Sequence, residues 1–419
     1  MTETTTGAPA TRLYEPAGPA ELIRRAEAMR DMLRAQQDDA EARGHYGPAV
    51  HEAFVKAGFY HLLTPKRYGG MELDIPSYLK ICIEIARGDP STAWCYSLPQ
   101  GHCLTTASHW PAEAQDEVFL SEEGYFRASH SVANPGTATP VEGGFIVTVH
   151  SPYQSGVPYS NYVTVNARVV GGVSDAAQVV SAIVPIEQVE VLDDWGGDTT
   201  LGQRGSGSNT VVVSDVFVPA SRVVPFDWMF RDYEGSVGVE LHGNPMYLGP
   251  VAFFFHSELA ATMVGAAKAA VDEYEQIITT RTSLFPPFAP RVEDPMHLSD
   301  LGMAMTMADA SEALLIKASE RYMEYCEATA ERGAPFTQEM DVRLYGVAQR
   351  AAQMACDAVQ MLFYSAGSAA GKRGQPMQRY FRDVAMYRGH ISAQYHWAAR
   401  RIAEAHFAAR DTQHDQGES

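Results

Sequence analysis

Residues 375–390 read Gln-Pro-Met-Gln-Arg-Tyr-Phe-Arg-Asp-Val-Ala-Met-Tyr-Arg-Gly-His, and the rest of the chain is best read outward from them. A run of small residues, Ala366-Gly367-Ser368-Ala369-Ala370-Gly371, leads into this stretch. Pro376 stands where a first helical turn tolerates proline. No glycine or proline follows between Arg379 and Gly389, which predicts a helix. On that helix Asp383, Tyr387 and His390 are spaced i, i+4, i+7 and share one stripe. A basic helix start followed by a histidine also fits a plain structural helix, so the flanking chain has to decide.

Upstream, residues from about Pro19 to Val118 read as helical. Glu21–Arg43 ends at Gly44, Tyr46–Ala57 ends at Gly58, and two apolar helices, Ile75–Arg87 and Ser91–Thr106, are split by Gly88-Asp89-Pro90. Near Gly124 the pattern changes. Phe145–Val149, Tyr162–Val170, Val179–Val184 and Thr210–Val218 are short, β-branched and bounded by turn residues, with no long helix between them. Mainly antiparallel hairpins are expected there. After about Pro225 come three long amphipathic segments, Phe253–Thr280, His297–Ala328 and Asp341–Phe363, which with the 375–390 helix suit an antiparallel bundle. The expected organisation is a mobile tail (1–18), an N-terminal α domain (19–123), a middle β domain (124–225), a C-terminal helical bundle (226–410) and a second mobile tail (411–419).

Composition narrows the function. The 419-residue chain carries a formal net charge of -19, which argues against nucleic acid and anionic membrane surfaces as partners. Cys82, Cys95, Cys103, Cys326 and Cys356 form no CxxC pair and sit in apolar contexts, as buried thiols of a reducing compartment do. Residues 1–18 show no basic-then-apolar leader pattern, and no run approaches a membrane span, so the expected setting is the cytoplasm. No metal is expected: His390 and His396 would lie about 240° apart on one helix, and there is no H-E-x-x-H. Neither a G-x-S-x-G elbow nor a G-x-G-x-x-G fingerprint occurs.

The order of helices, β domain and four-helix bundle resembles the acyl-CoA dehydrogenase fold, an α+β class. Four local motifs carry the resemblance: Thr64-Pro65-Lys66-Arg67-Tyr68-Gly69-Gly70; Gly88-Asp89-Pro90-Ser91-Thr92-Ala93-Trp94; Gly202-Gln203-Arg204-Gly205-Ser206-Gly207-Ser208-Asn209-Thr210 with Asp215-Val216-Phe217-Val218-Pro219; and Arg382-Asp383. The dehydrogenases commonly place a catalytic glutamate about two turns after that arginine–aspartate pair. Here the chain after Asp383 carries no acidic residue through Ser392 and offers His390 instead. The run Gln378-Arg379-Tyr380-Phe381-Arg382-Asp383 followed by His390 is more similar to the reduced-flavin-dependent monooxygenases that share the fold. These include hydroxylases of phenols and of phenolic steroid fragments, dibenzothiophene oxidases and amino-sugar N-oxidases.

What this resemblance implies is the oxygenase component of a two-component system. It would take reduced FMN or FAD and O2, form a C4a-hydroperoxyflavin and hydroxylate an aromatic, phenolic small molecule. A separate NAD(P)H-dependent flavin reductase would supply the cofactor, and the assembly would be a homotetramer. The resemblance implies His390 as base or oxygen-orienting group, His102 as its assistant at the substrate, and Ser155 as the hydroxyl beside flavin N5. It places Ser129 and Ser131 on a strand at the isoalloxazine edge, with His130 pointing to the strand's other side. Arg281 would reach a neighbouring subunit's flavin phosphate, with Gly367 and Arg382 also at the cofactor. The plain alternatives are a hydrogen-bonded bundle histidine for His390, a structural His102, a Ser-Gly turn at Ser155 and a solvated helix-end arginine at Arg281. The rival functions are an acyl-CoA dehydrogenase with an atypical base, an N- or S-oxidising monooxygenase, and a non-catalytic flavin-binding protein.

Overall fold

The computed structural model describes residues 14–171, 178–228 and 231–417. The expected tail residues 1–13 and 418–419 lie outside the described residues, whereas 411–417 continue a helix.

Seven helices come first: α1 (Pro19–Ala28), α2 (Arg30–Ala35), α3 (Gln37–Arg43), α4 (Pro48–Ala57), α5 (Ile75–Gly88), α6 (Pro90–His109) and α7 (Ala112–Phe119). The single helix expected over Glu21–Arg43 is therefore broken at Met29 and Gln36. The breaks keep Leu22, Ala26, Leu33 and Ala40 all buried. Asp74 and Asp89 cap α5 and α6 by accepting backbone N–H groups of Ser77 and Thr92.

The middle of the chain forms one seven-stranded sheet from β1 (Ala128–Val141), β2 (Gly144–Ser151), β3 (Tyr162–Val169), β4 (Val179–Pro185), β5 (Glu190–Val191), β6 (Val211–Pro219) and β7 (Val223–Pro225), in the order β5-β6-β2-β1-β3-β4-β7. Five of its pairings are antiparallel, as the hairpin reading requires, but β1 and β3 run parallel. β1 also escaped the β-branching pattern, because Pro135, Gly136 and Pro140 lie within it and its register against β3 shifts between Ser131 and Gly136. The valines of β2, β3, β4 and β6 form a core of their own.

The remaining helices are α8 (Val237–His242), α9 (Ala252–Thr280), α10 (Pro295–Arg332), α11 (Gln338–Ala366), α12 (Pro376–Tyr387) and α13 (Tyr395–Gly417). α9 packs against α5, α6, α10, α11 and α12, so the N- and C-terminal helices share one apolar core. The expected 375–390 helix ends early. α12 stops at Tyr387, and His390 has left the helix with φ -70 and ψ 149. The stripe predicted for Asp383, Tyr387 and His390 thus breaks before its last member, because Gly389 ends the run. The turn nevertheless returns the His390 ring to within 6.5 Å of Tyr387.

α12 is fixed to α3 by charge. Buried Arg379 donates to Gln37 (2.5 Å) and Glu41 (3.0 Å) and also pairs with Asp38, and Arg382 donates to Glu41 at 2.6 Å. Hydrogen-bonded partners of this kind are what make a buried guanidinium tolerable.

Candidate active site

A cavity of about 540 Å³ opens where α6, β1, α9, the end of α12 and two loops of the sheet converge. α6 contributes Trp94, Leu98 and His102, spaced i, i+4, i+8 on one face. Pro99 within that helix has no N–H to give the Cys95 carbonyl. The guanidinium of Arg127, fully buried just before β1, bonds the Cys95 and Tyr96 carbonyls instead, at 3.1 Å each, and stacks over Tyr60 at 4.4 Å. This clamp ties β1 to α6 and sets the His102 side of the cavity against the strand.

A chain of hydroxyls forms one wall. Trp94 Nε1 donates to Ser155 Oγ at 3.0 Å; Ser155 Oγ lies 2.8 Å from Ser208 Oγ, which lies 2.6 Å from Ser206 Oγ. Because the indole can only donate, Ser155 accepts there and keeps its own proton for Ser208 or for a bound molecule. Beside this chain Gln203 is buried, and neither its side-chain nitrogen nor its oxygen has a partner. Its loop is held by Gly202 and Asp383. A Cβ at Gly202 would fall 2.2 Å from the Arg382 carbonyl, and the Gln203 N–H donates to Asp383 Oδ1 at 2.6 Å. Burial pushes the Asp383 carboxyl up to about 7, against the pull of that N–H.

Four imidazoles line the cavity: His102, His130, His256 and His390. His102 Nδ1 sits 2.6 Å from the Ala128 carbonyl, a fixed acceptor, so the proton is on Nδ1 and Nε2 carries the lone pair. His390 is the reverse. Its Nδ1 accepts the backbone N–H of Ser392 at 3.1 Å, so its proton is on Nε2. The Ser392 hydroxyl in turn lies 2.7 Å from His256 Nδ1, and the His256 ring stacks on Tyr345 at 3.8 Å. His130 Nε2 is 3.2 Å from Asn166 Oδ1, and its ring meets that of His102 at 5.3 Å. Burial, aided for His102 by His130 and for His256 by His390, pulls these two imidazoles down to about 3. Burial takes His130 to about 4. Desolvation also lowers His390 to about 4, although that residue has an exposed outer face at the cavity mouth. The exposed face makes its desolvation partial, and the downward direction, toward a neutral ring, is what bears on its chemistry.

The structure thus gathers His390, Ser155, His102 and Ser131 at one cavity. It corrects two expectations about β1. His130, read as facing away, lines the cavity, and Ser129 is buried outside the lining with its hydroxyl unpartnered. Arg382, expected at the cofactor, lies outside the lining and is engaged with Glu41, Gln378 and the Leu201 carbonyl. Arg281 follows α9 and Gly367 follows α11, and neither lines the cavity. Sequence reasoning missed His256 and Gln203. His256 stands one residue from Phe255 in an apolar helix start, and Gln203 sat inside a quoted motif with nothing to mark its side chain.

The lining also bears on the dehydrogenase alternative. Among the described residues that line the cavity there is no carboxylate. Glu258 on α9 is fully buried elsewhere. Its Oε1 accepts from Tyr78 at 2.8 Å and lies 1.8 Å from where a Cβ on Gly101 would be. It is wedged toward α5 and α6. Burial pushes its carboxyl well up, in the direction of the neutral acid, against the pull of the Tyr78 hydroxyl. Among the described residues no cluster of three or more His, Cys, Asp or Glu is placed to hold a metal, and no helix is long and apolar enough to cross a membrane. All five cysteines are buried and free.

The architecture is that of the acyl-CoA dehydrogenase fold. Residues 23–122 match the family described as acyl-CoA dehydrogenase, N-terminal domain, and residues 258–395 its C-terminal counterpart. A pigment production hydroxylase of a Rhodococcus species is 30% identical over 336 residues, 80% of this chain and 83% of that protein. The oxygenase subunit HsaA of a flavin-dependent monooxygenase from Rhodococcus jostii is 28% identical, covering 88% of this chain and 94% of its own. The crystal structure of 3-HSA hydroxylase from a Rhodococcus species superposes with a TM-score of 0.82 at 27% identity, over 93% of this chain and 97% of that one. The chain belongs to the flavin-dependent monooxygenases of this fold, and it is an oxidoreductase.

The residues present fit a flavin. The unpartnered carboxamide of Gln203 offers a donor and an acceptor to a heteroaromatic edge, the Ser155–Ser208–Ser206 chain offers hydroxyl donors, and Trp94 and Trp195 add flat apolar surface.

Proposed function

We propose that the chain is the oxygenase component that hydroxylates a phenolic ring, fed with reduced FMN or FAD by a separate NAD(P)H-dependent reductase. The observation that carries this reading is the pair of opposite imidazole tautomers, His102 and His390, on one cavity wall system with the Ser155 hydroxyl. Reduced flavin, when bound, supplies two electrons to O2 and so makes one oxygen atom available to the ring. The protein's own residues do the rest.

His102 Nε2 accepts the phenolic hydrogen. An imidazole held at about 3 is a weak base toward a phenol near 10. Prior proton transfer would be uphill by roughly 10 kcal/mol at about 1.4 kcal/mol per pKa unit. His102 therefore orients the hydroxyl in the resting complex and takes its proton only as the ring is attacked. His390 Nε2–H donates to developing negative charge on oxygen, which moves it from the role of base to that of donor. With flavin bound, Ser155 would offer its hydroxyl to the cofactor edge while Trp94 occupies one of its lone pairs, and the unpartnered Gln203 carboxamide would hold the same edge. The apolar wall residues Leu98, Phe255 and Leu259 limit water around the ring.

In this reading Arg281 and the backbone at Gly367 contact the cofactor phosphate across a subunit boundary. The buried, unpartnered Nη1 of Arg281 supports this and calls for an oligomer, which we propose to be a homotetramer working in the cytoplasm. The test is oxygen consumption with reduced flavin across phenols, amines and acyl-CoA esters. Phenol-dependent product with little peroxide is expected, together with at least tenfold tighter binding of reduced than oxidised flavin, about 1.4 kcal/mol. Product from amines or sulfides alone would assign the N- or S-oxidising role instead.

A further inference from the structure

Among the described residues lining the cavity there is no lysine, arginine, aspartate or glutamate. The cations nearby in sequence are engaged elsewhere. Arg127 is bonded to carbonyls behind α6, Arg382 is held by Glu41, and Arg388 pairs with Asp357 at 2.5 Å. Apart from Ser131, Tyr153, Gln203 and the Ser155–Ser208–Ser206 chain, the polar groups that face the cavity are imidazoles with Ser392, and these fall into two sets. Phe255 on α9 touches the rings of His102 and His130 at 5.5 and 6.4 Å. The next residue, His256, bonds Ser392, whose N–H holds His390. Adjacent residues of a helix project about 100° apart, so the first turn of α9 separates the two histidine sets, with apolar Leu98 and Leu259 also on the wall.

We infer that the substrate is an uncharged aromatic molecule with hydrogen-bonding groups at two ends, one met by the His102–His130 pair and the other by the His256–Ser392–His390 group. The inference rests on the aromatic hydroxylation reading and adds the substrate's charge and polarity. A carboxylate in this cavity would lose its hydration with no cation to replace it. A hydroxyl, carbonyl or N–H loses nothing, because an imidazole set contains both donors and acceptors. Burial, which holds these rings neutral, keeps them from serving as the missing cations.

The test is binding, measured calorimetrically on the full chain without turnover. The probes are 4-ethylphenol, 4-hydroxyphenylacetate and the two-ended 4,4′-dihydroxybiphenyl, each with and without anaerobic reduced flavin. The biphenyl should bind at least tenfold more tightly than ethylphenol, and the carboxylate at least tenfold more weakly. A folded His130→Arg variant, checked by its thermal transition, should shift the preference at least tenfold toward the carboxylate. A carboxylate that binds wild type as well as its neutral partner, or a biphenyl with no advantage over ethylphenol, overturns the inference. A parallel turnover with reduced flavin and O2 that gives no hydroxylated product despite the expected binding order would instead overturn the oxygenase reading and leave this one standing.

Discussion

Asparagine at position 102 separates the two jobs of that histidine. Its amide nitrogen reaches about as far as Nδ1 and can still donate to the Ala128 carbonyl, now 2.6 Å from the imidazole. It has no group in place of the Nε2 lone pair. The structural bond survives and the proton acceptor is lost. Positioned acid–base groups contribute about 10²–10⁴-fold, so His102→Asn should slow phenol hydroxylation by that factor, with peroxide released in place of product. At position 390 asparagine does the complementary thing. Its amide oxygen can accept the Ser392 N–H, now 3.1 Å from Nδ1, and the Nε2–H donor disappears. Loss of one such donor typically costs about 10²–10³-fold. The variants are told apart by the substrate's own acidity. A nitrophenol is largely ionised at pH 8 and needs no base, so at saturating concentration, where the cavity's weaker hold on an anion drops out, it should restore His102→Asn to within about tenfold of wild type while leaving His390→Asn slow. The assay is product per O2 consumed, by chromatography, with each variant's thermal transition as a folding control. Rescue of His390→Asn and not of His102→Asn would refute the tautomer assignment, and near-wild-type turnover of both would remove the two histidines from the chemistry.

Ser155→Ala leaves the Trp94 N–H without its buried acceptor, a loss of about 1–3 kcal/mol in stability. It should also raise the peroxide-to-product ratio, and unchanged coupling would reduce Ser155 to a turn residue. Acid stability carries a second signature. An unfolded histidine titrates near 6.5, whereas buried His102 is held at about 3. Between those values the unfolded chain binds the extra proton, so this contribution is whole above about pH 6.5 and falls away as pH drops toward 3. Buried Asp89 and Asp341, raised to about 6, oppose it by adding stability that is lost as pH rises through about 4 to 6. The difference between wild type and His102→Asn isolates the histidine: the variant's melting temperature should fall less between pH 7 and pH 4.5, and parallel profiles would contradict a neutral buried ring. Light scattering at micromolar concentration should give four chains per particle, and a stable monomer would count against the shared cofactor site.

The three-part order and the long helices were legible because their signals are local. Apolar residues recur near the helical period through Leu344, Val347, Ala351 and Ala358, and β-branched runs stop at turn residues. β1 was not legible by that route. Two prolines and a glycine lie in a strand that survives them through a register shift and a parallel neighbour, which are tertiary facts. The end of α12 failed for a related reason. Periodicity carries a pattern past the residue where the backbone turns, so His390 was assigned to a face it does not share. At the site, residue types were readable but roles were not. Which nitrogen of a histidine holds the proton depends on a carbonyl or an N–H brought from elsewhere: Ala128 is 26 residues from His102. Gln203 shows the same limit from the other side, since a glutamine declares itself only when the fold buries it and leaves both its ends unbonded.

Single turnover under labelled oxygen tests the central claim most directly. The protein is mixed anaerobically with reduced flavin and a neutral phenol, then with ¹⁸O2, and the product is weighed by mass spectrometry. The oxygenase account predicts one ¹⁸O atom in the new hydroxyl group and no bleaching of oxidised flavin when acyl-CoA esters are added without oxygen. Unlabelled or absent product, together with flavin that acyl-CoA reduces anaerobically, would contradict it and restore the dehydrogenase.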